Sequence, residues 1–287
     1  MHWQLPIKAE IMQQSTTKQS IIKISHQGNY ATDDVLAVEE PLQISLLIGT
    51  GENKVSKNIS VTMRTPGQDD LLAIGFLFTE GIINSKKDIV QAKQLDVTDN
   101  SIQIELAENK LPLLQNLERN FYTTSSCGVC GKTSIDAIRT NCNQYPIANF
   151  ENKLPIDYFF ELPDLLRKQQ NVFDNTGSIH AAALFTHSKD LVFLCEDVGR
   201  HNALDKLIGK ALIEGMLPLS NYTLLLSGRA SFELVQKAAM AGIAMIASVG
   251  APSSLAVQLA DEFNITLIGF LRDKRFNIYT HPQRILQ

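Results

Sequence analysis

The sequence predicts an α/β protein in two parts: a C-terminal domain with a mostly parallel β-sheet, and a smaller N-terminal α+β domain. Two observations predict this fold class. From about residue 191 onward, short apolar runs alternate regularly with longer amphipathic segments, a pattern typical of a parallel sheet with helices packed on it. The first third of the chain lacks this alternation and shows short strand-like segments around one helical segment.

The C-terminal elements follow one another at short intervals. A helix at 158–170 precedes two predicted strands at 179–186 and 191–195. The regular part then comprises helices at 202–214, 232–241 and 255–263, and strands at 223–227, 244–248 and 265–270. Ligands of open α/β sheets bind beyond the carboxyl ends of the strands. The loops after these strands are therefore the predicted ligand site.

The N-terminal elements are shorter. Strands are predicted at 21–24, 35–38, 42–47, 61–64 and 102–106. A helix capped by Asp69 or Asp70 is predicted to follow the turn at 65–67 and to end at Gly81. The expected division is a flexible tail at 1–20, an N-terminal α+β domain at 21–122, and a C-terminal α/β domain at 123–287.

Composition and charge argue against several classes of function. The 287 residues include 26 basic and 30 acidic side chains, with a formal net charge of −4, so no overall field attracts nucleic acid or an anionic membrane. No apolar run reaches the about 18–20 residues of a spanning helix, and residues 1–20 lack the apolar core of a signal peptide. We therefore expect a cytoplasmic protein with neither nucleic-acid nor membrane partners.

Cys127 and Cys130 form the first chemical motif. They lie in the polar, glycine-punctuated segment TTSSCGVCGKTS at 123–134, whereas Cys142 and Cys195 form no second pair of this spacing. A zinc ribbon is therefore not indicated. Two thiols in a loop with glycine, serine and lysine can carry sulfur, exchange a disulfide or ligate a metal. The residues alone favour sulfur or redox chemistry and leave metal binding open.

The second motif, EDVGRHNALDK at 196–206, directly follows an apolar strand. It places carboxylates, an Arg-His pair that includes His201, and a potential helix cap at Asn202 where α/β folds bind ligands. A charged surface loop is the alternative interpretation. His180 lies on the neighbouring predicted strand, where a histidine is more often a satisfied core residue than a ligand.

Two strand-to-helix turns form the third motif. Ser227, Gly228 and Arg229 precede one helix, and GAPSS at 250–254, which includes Ser253, precedes the next. Free amides and the helix dipole at such positions favour phosphate, and an arginine adds a bidentate donor. Either turn alone is equally consistent with simple capping. Together at one sheet edge they predict a pyrophosphate or nucleotide site.

The last motif is FLRDKRFN at 270–277, after the final parallel strand. It brings cations and two aromatic residues to the same predicted edge, with an acidic residue, Asp273, among them. An aromatic and cationic clamp for a base and its phosphates is the functional interpretation. A solvated hairpin end is the structural one.

Together these motifs resemble those of the formate dehydrogenase accessory protein family FdhD. The resemblance runs from about Glu40 to the C-terminus and rests on the segments 127–131, 176–180, 196–206, 227–229 and 250–254. The acidic-Arg-His-Asn stretch is highly specific, whereas CGVCG alone is not. The resemblance implies a cytidine-deaminase-like, three-layer C-terminal domain and a homodimer.

The resemblance also implies a function. A cysteine desulfurase would hand sulfur to Cys127 as a persulfide, with Cys130 as its loop partner, and the sulfur would pass to the molybdenum bis-guanine-dinucleotide cofactor destined for formate dehydrogenase. No permanent metal of the protein's own is expected. The residues expected to bind the cofactor are His180, His201, Ser227, Gly228, Arg229, Ser253, Phe270, Leu271, Arg272, Asp273, Lys274 and Arg275.

Two other classes of function stay open at this point. A non-catalytic chaperone would bind the cofactor or a guanine nucleotide without needing the loop cysteines. A zinc or redox-sensor protein would hold metal or cycle a disulfide between Cys127 and Cys130, and it would ignore guanine nucleotides.

Overall fold

The computed structural model describes residues 15–96, 100–108, 145 and 153–286. Cys127 and Cys130 lie outside these residues, as does the predicted domain boundary at 122/123, so those expectations stay predictions. Within the described part of the chain, no helix is both long enough and apolar enough to cross a membrane.

The described elements are fourteen strands and six α-helices. The strands are β1 Thr16–Ser25, β2 Gly28–Ala37, β3 Glu40–Ile48, β4 Val55–Arg64, β5 Ile89–Asp96, β6 Ser101–Leu106, β7 Leu154–Pro155, β8 His180–Phe185, β9 Leu191–Asp197, β10 Thr223–Leu226, β11 Met245–Ser248, β12 Thr266–Arg272, β13 Arg275–Ile278 and β14 Ile285–Leu286. The helices are α1 Asp69–Thr79, α2 Ile156–Arg167, α3 Asn171–Thr176, α4 Arg200–Glu214, α5 Phe232–Met240 and α6 Ser254–Glu262.

A six-stranded sheet with the order β13-β12-β11-β10-β8-β9 forms the C-terminal half. Strands β10, β11 and β12 are parallel, β8 is antiparallel to both β9 and β10, and β13 is antiparallel to β12. Strands β9 to β12 therefore share one direction, and β8 and β13 oppose it. The α/β class is confirmed. The two reversed strands belong to short hairpins, which can join only antiparallel strands.

Both faces of this sheet are covered by helices. Alternate residues of a strand point to opposite faces: Ala182 and Leu184 of β8 join an apolar cluster with α4, α5 and α6, whereas Ala183 and Phe185 join a second cluster with α2. The buried strands β10 and β11 contribute to both clusters. The resulting order of helix, sheet and helix is the three-layer arrangement that the family resemblance implied.

A four-stranded sheet of order β4-β3-β6-β5 forms the N-terminal half and packs on α1. Its buried residues, such as Leu42, Ile44 and Ile104, belong to the same apolar cluster as Leu204 and Leu207 of α4. The hydrophobic core is therefore continuous from the N-terminal sheet to the helices on the large sheet.

Helices α1 and α4 cross at two glycines. A Cβ atom on Gly75 of α1 would collide with the carbonyl oxygen of Asp205, and one on Gly209 of α4 would collide with the carbonyl oxygen of Leu71. Only glycine allows two backbones to approach this closely. The crossing fixes the position of α4, whose first residues reach the candidate site.

Several local predictions differ from the structure. Residues 16–20, predicted as tail, belong to β1. The N-cap of α1 is Gln68, without a side-chain cap, because Asp69 instead receives two 2.9 Å hydrogen bonds from the buried guanidinium of Arg64. Asn202 does not cap α4, since the helix already begins at Arg200.

Candidate functional site

The carboxyl ends of β9 to β12 form one edge of the large sheet, which we call the strand-end edge. It gathers Arg200 and His201 after β9, residues 227–231 after β10, residues 249–253 after β11, and residues 270–275 around the end of β12. His180 begins β8, and because β8 runs in the opposite direction, its register opposite Asp197 puts it at the same edge. The predicted site residues that the structure describes are therefore brought together.

The three loops after β10, β11 and β12 are joined through their backbones. The amide of Gly250 donates to the carbonyl oxygen of Gly228, and the amide of Phe270 donates to that of Gly250, each at 3.0 Å. The amide of Ser253 similarly donates to Ala230 at 3.0 Å. These bonds make a continuous floor along the strand-end edge, so the loops hold one another in position.

Two glycines of this floor are required by close contacts. A Cβ on Gly228 would lie 3.2 Å from Nδ1 of His180, and one on Gly250 would lie 2.9 Å from Cγ and 3.0 Å from the amide nitrogen of Arg229. The second contact involves backbone, which cannot move aside easily. The glycines in both predicted turns therefore have a packing role whether or not they also approach a ligand.

Positive charge gathers around His180, only partly offset by Asp197. Burial lowers the pKa of His180, and the positive charges of Arg200 and His201 lower it further. The Nε atom of Arg200 is buried and has no hydrogen-bond partner among the described residues. An unpaired buried donor costs about 1–3 kcal/mol. This combination suits an anionic ligand, which would neutralise the cations.

Asp197 braces the fold rather than facing a ligand. Its side chain is fully buried, with Oδ2 2.7 Å from Nζ of Lys206 and Oδ1 accepting from the amide of Gly199 at 2.8 Å. Lys206 also donates to the carbonyl oxygen of Thr65 at 2.9 Å. This buried pair therefore fastens α4 to the turn that precedes α1.

The other acidic and amide groups of the 196–206 stretch are also used internally. Glu196 accepts the amides of Val172 and Phe173 at 3.1 Å and so caps α3. Asn202 donates to the carbonyl oxygen of Met63 at 2.7 Å, and Asp205 pairs with Lys237. The sequence left open which polar groups of this stretch face a ligand; in the structure, Arg200 and His201 are the two of its ionisable side chains that reach the edge.

The serine hydroxyls of the two predicted turns already have partners. Ser227 Oγ accepts the amide of Ala181 at 2.8 Å, and Ser253 Oγ caps α6 through the amide of Ala256 at 3.2 Å. Arg229 is exposed beside them. At this edge the arginine, rather than the serine hydroxyls, is available to bind an anion.

The segment 270–275 splits into buried and exposed parts. The Leu271 side chain is buried in the core, so only its backbone is left for a ligand. Phe270 has a left-handed backbone (φ 56°), which costs of order 1–3 kcal/mol for a bulky residue and is typical of functional sites. The turn side chains Arg272, Asp273, Lys274 and Arg275 are exposed.

The second aromatic residue of the predicted clamp is not at the edge. The Phe276 ring packs 5.4 Å from that of Phe159 and 5.6 Å from that of Phe160, both on α2. Because Phe276 alternates with the outward-facing residues of β13, it turns toward the helix layer. Phe270 is thus the one aromatic residue of the 270–277 segment left to contact a base.

Sequence reasoning did not foresee that Ser231, in the first predicted turn, and Glu233 contact His201. Nε2 of His201 lies 3.2 Å from Ser231 Oγ and 3.7 Å from Glu233 Oε2. A signal was present, because a serine followed two residues later by a glutamate at the start of a helix puts both on the dipole-favoured end. What the sequence did not reveal is that a histidine of another helix lies opposite them.

Comparisons with known proteins decide the family. The model of the FdhD/NarQ family matches residues 37–286, nearly the whole described chain. The chain belongs to the FdhD/NarQ family. The predicted resemblance is thereby confirmed, and its starting point near residue 40 agrees with the start of the match.

Relatives in this family are similar over most of their length. The sulfur carrier protein FdhD of Streptomyces coelicolor is 47% identical, covering 94% of this chain and 95% of its own. Those of Picrophilus torridus and Saccharolobus solfataricus are 44% and 41% identical, covering 94% and 92% of this chain and 98% and 96% of their own.

A solved FdhD-type structure supports the fold. The crystal structure described as a putative formate dehydrogenase accessory protein from Desulfotalea psychrophila has a TM-score of 0.72 and 24% sequence identity, covering 95% of this chain and all of that one. At this identity the likeness concerns the fold alone.

Proposed function

We propose that this FdhD/NarQ member is a sulfur carrier in formate dehydrogenase maturation. It takes sulfur from a cysteine desulfurase onto Cys127 and delivers it to a molybdenum bis-guanine-dinucleotide cofactor bound at the strand-end edge. Its relatives, each named sulfur carrier protein FdhD, support the sulfur-carrier part of this proposal. Delivery to the cofactor is our own proposal. A homodimeric state is also proposed, and sedimentation velocity tests it.

One observation carries the ligand-binding part of the proposal: several cations gather at the strand-end edge, and the buried Nε of Arg200 has no hydrogen-bond partner among the described residues. Arg200 and His180 lie together there, with Arg229, Arg272 and Arg275 exposed on the adjoining loops. Asp197 offsets only part of this charge, because its buried carboxylate is paired with Lys206. A diphosphate carries the complementary charge, and arginine binds its oxygens bidentately. The Phe270 ring would contact the guanine.

The sulfur-carrier part of the proposal uses a thiolate exchange. The Cys127 thiolate attacks the terminal sulfur of the desulfurase persulfide, a new S–S bond forms on Cys127, and the desulfurase cysteine leaves as a thiolate. No electrons are gained or lost overall. A glycine follows each of the two thiols, which favours access by a second protein. Cys130 then acts as a shuttle or resolving thiol.

Labelled sulfur tests the carrier assignment. A desulfurase charged with ³⁵S-cysteine is incubated with wild type, Cys127→Ala and Cys130→Ala. We expect Cys127→Ala to carry no label and Cys130→Ala to retain it. The retained ³⁵S should be released by a reductant, because it is held in a persulfide. Equal labelling of wild type and Cys127→Ala would contradict the assignment of Cys127.

Guanosine diphosphate is the probe for the ligand-binding part of the proposal. Isothermal titration should show binding to wild type and a loss of about 10-fold or more in Arg200→Ala, since one charged hydrogen-bonded contact contributes about 1.5–3 kcal/mol. Lys189→Ala, at the far end of β8, is the matched control and should bind normally.

The same two experiments separate the alternatives. Binding of the nucleotide together with full support of formate dehydrogenase by a variant lacking both loop cysteines would indicate a non-catalytic chaperone. Stoichiometric zinc, or a Cys127–Cys130 disulfide cycle without nucleotide binding, would indicate a metal or redox-sensor protein.

A further inference from the structure

His201 lies between two helix N-termini that reach the strand-end edge. It is the second residue of α4, and its Nε2 contacts both Ser231 Oγ and Glu233 Oε2 at the start of α5. Ser231 occupies the N-cap position of α5, yet its hydroxyl makes no capping hydrogen bond and contacts the imidazole instead. Two side chains of one helix thus hold a single ring nitrogen of His201.

Two charge pairs connect α4 and α5, and the contact of His201 with Glu233 is the outer of the two. One turn further along both helices, Asp205 of α4 meets Lys237 of α5, with 2.9 Å between Oδ2 and Nζ. Residues four apart share a helix face, so His201 and Asp205 line one side of the seam, and Glu233 and Lys237 line the other. The buried inner pair holds the two helices in register, which fixes where the outer pair meets.

A carboxylate opposite His201 has an electrostatic purpose. The N-terminal turn of α4, where the helix dipole is positive, and the neighbouring Arg200 both place positive potential around the ring. Glu233 lies in the first turn of α5, where the dipole favours an anion. Contact with His201 lowers the pKa of Glu233 to about 2, so this group is ionised at any physiological pH.

We propose that Glu233 is a positioning residue that, with Ser231, holds Nε2 of His201 and so turns Nδ1 toward an anionic ligand at the strand-end edge. An ionised carboxylate accepts a hydrogen and cannot donate one, so Glu233, 3.7 Å from Nε2, favours a proton on that nitrogen. Both contacts use Nε2, and Nδ1 is therefore the nitrogen left for the ligand. Once the ring is protonated, Nδ1–H donates to a phosphate oxygen.

The inference rests on the proposed function, because it takes the ligand to be a guanine nucleotide phosphate. The charged groups around His201 are His180 of β8 and Arg200 of α4 on the ligand side, and Glu233 of α5 behind it. Lys237 of α5 interacts in turn with Glu233. Asp197 of β9 acts on His180 from its buried pair with Lys206. Of these groups, Glu233 is the one in direct contact with the ring.

The test combines ring ¹⁵N NMR of His201 with guanosine diphosphate titrations from pH 5.5 to 8.5. In wild type we expect the Nε2–H tautomer and tighter binding as the pH falls. In Glu233→Gln we expect a mixed tautomer, about 5–10-fold weaker binding at pH 6, and a flatter pH profile. Glu233→Asp keeps the charge and should restore part of the affinity. Ser231→Ala should give a smaller loss of the same kind.

The control is Glu214→Gln, the same change at the exposed opposite end of α4, which should leave all these measurements unaltered. Circular dichroism checks that each variant is folded. If wild type binds the nucleotide and Glu233→Gln matches it in affinity, pH profile and tautomer, the positioning role is wrong and the proposed function stands. If wild type binds no nucleotide, the proposed ligand is wrong, and the NMR tautomer still decides whether Glu233 positions the ring.

Discussion

The position and the pKa of His180 depend on residues at the ends of several strands and helices. The sequence put it on a strand, where a satisfied core histidine is the commoner interpretation. Because β8 runs opposite to β9 and β10, its first residue reaches the edge where their last residues lie. Burial and the charges of Arg200 and His201 then lower its pKa, so the ring is mainly neutral at pH 7.

This arrangement predicts a ligand-dependent titration of His180. A bound diphosphate would offset the neighbouring cations, and an opposite charge nearby favours the protonated ring. We expect guanosine diphosphate to raise the pKa of His180 by at least about half a pH unit, measured by NMR. His187, whose pKa is also lowered by burial, lies beyond the other end of β8 and provides an internal reference that should not move. Equal shifts of both histidines would contradict a site at this edge.

The lowered pKa of Glu233 predicts how acid affects stability. Its folded-state pKa of about 2 lies below its ordinary value of 4.5. The stabilisation is therefore complete above about pH 5 and is lost as the pH falls from 4.5 toward 2. Urea unfolding at a series of pH values should show wild type more stable than Glu233→Gln by at most about 3 kcal/mol near pH 5, with the gap closing in acid. A gap that is constant with pH would rule out this linkage.

Among the elements, the α1–α4 crossing is the most sensitive to substitution. Gly209→Ala adds one methyl group against the carbonyl oxygen of Leu71, and backbone cannot be repacked as a side chain can. We expect a loss of about 3 kcal/mol in the free energy of unfolding, measured by chemical denaturation. Gln258→Ala on the exposed face of α6 should change it by less than about 0.5 kcal/mol. Similar values for both variants would mean that the helices separate freely.

The types of the elements were predictable because each helix or strand buries one face, and the spacing of apolar residues in the sequence follows that face. Helices α4, α5 and α6 and strands β10 to β12 lie within a few residues of their predicted bounds. The partners of polar residues were not predictable, since they depend on contacts distant in sequence. Asn202 was expected as a possible cap and instead donates to the carbonyl oxygen of Met63, and the buried pair of Asp197 with Lys206 was not predicted.

The position of the candidate site was predicted from the sequence, but the contacts of its individual side chains were not. Strand direction alone brings Arg229, Arg200 and Phe270 to one edge, and that followed from the β–α alternation. The inward turn of Phe276 and the burial of Leu271 depend on the register of the β12–β13 hairpin, which contains a bulge between Gly269 and Arg272. A bulge reverses which residues face outward, and this bulge was not predictable from the sequence.

At the scale of the whole molecule, the two sheets share one core. The apolar cluster runs without interruption from β3 and β6 through α1 to α4 and α5, and Lys206 ties α4 to Thr65. Native-state hydrogen exchange should therefore show amides of β6 and β10 opening together, with one common free energy, in a single unfolding transition. Exchange of β6 through a separate, lower-energy opening would show that the N-terminal sheet unfolds independently.

The glycine crossing also limits how members of this family can recombine. A chimaera joined between β6 and α2 would set α1 of one parent against α4 of the other. Since the fit there is defined by carbonyl oxygens and missing side chains, neighbouring substitutions cannot restore it. The unit that can be exchanged intact is the pair of helices, although more than a hundred residues separate them along the chain. We therefore expect chimaeras joined at a single point between α1 and α4 not to fold where the two parents differ in this crossing.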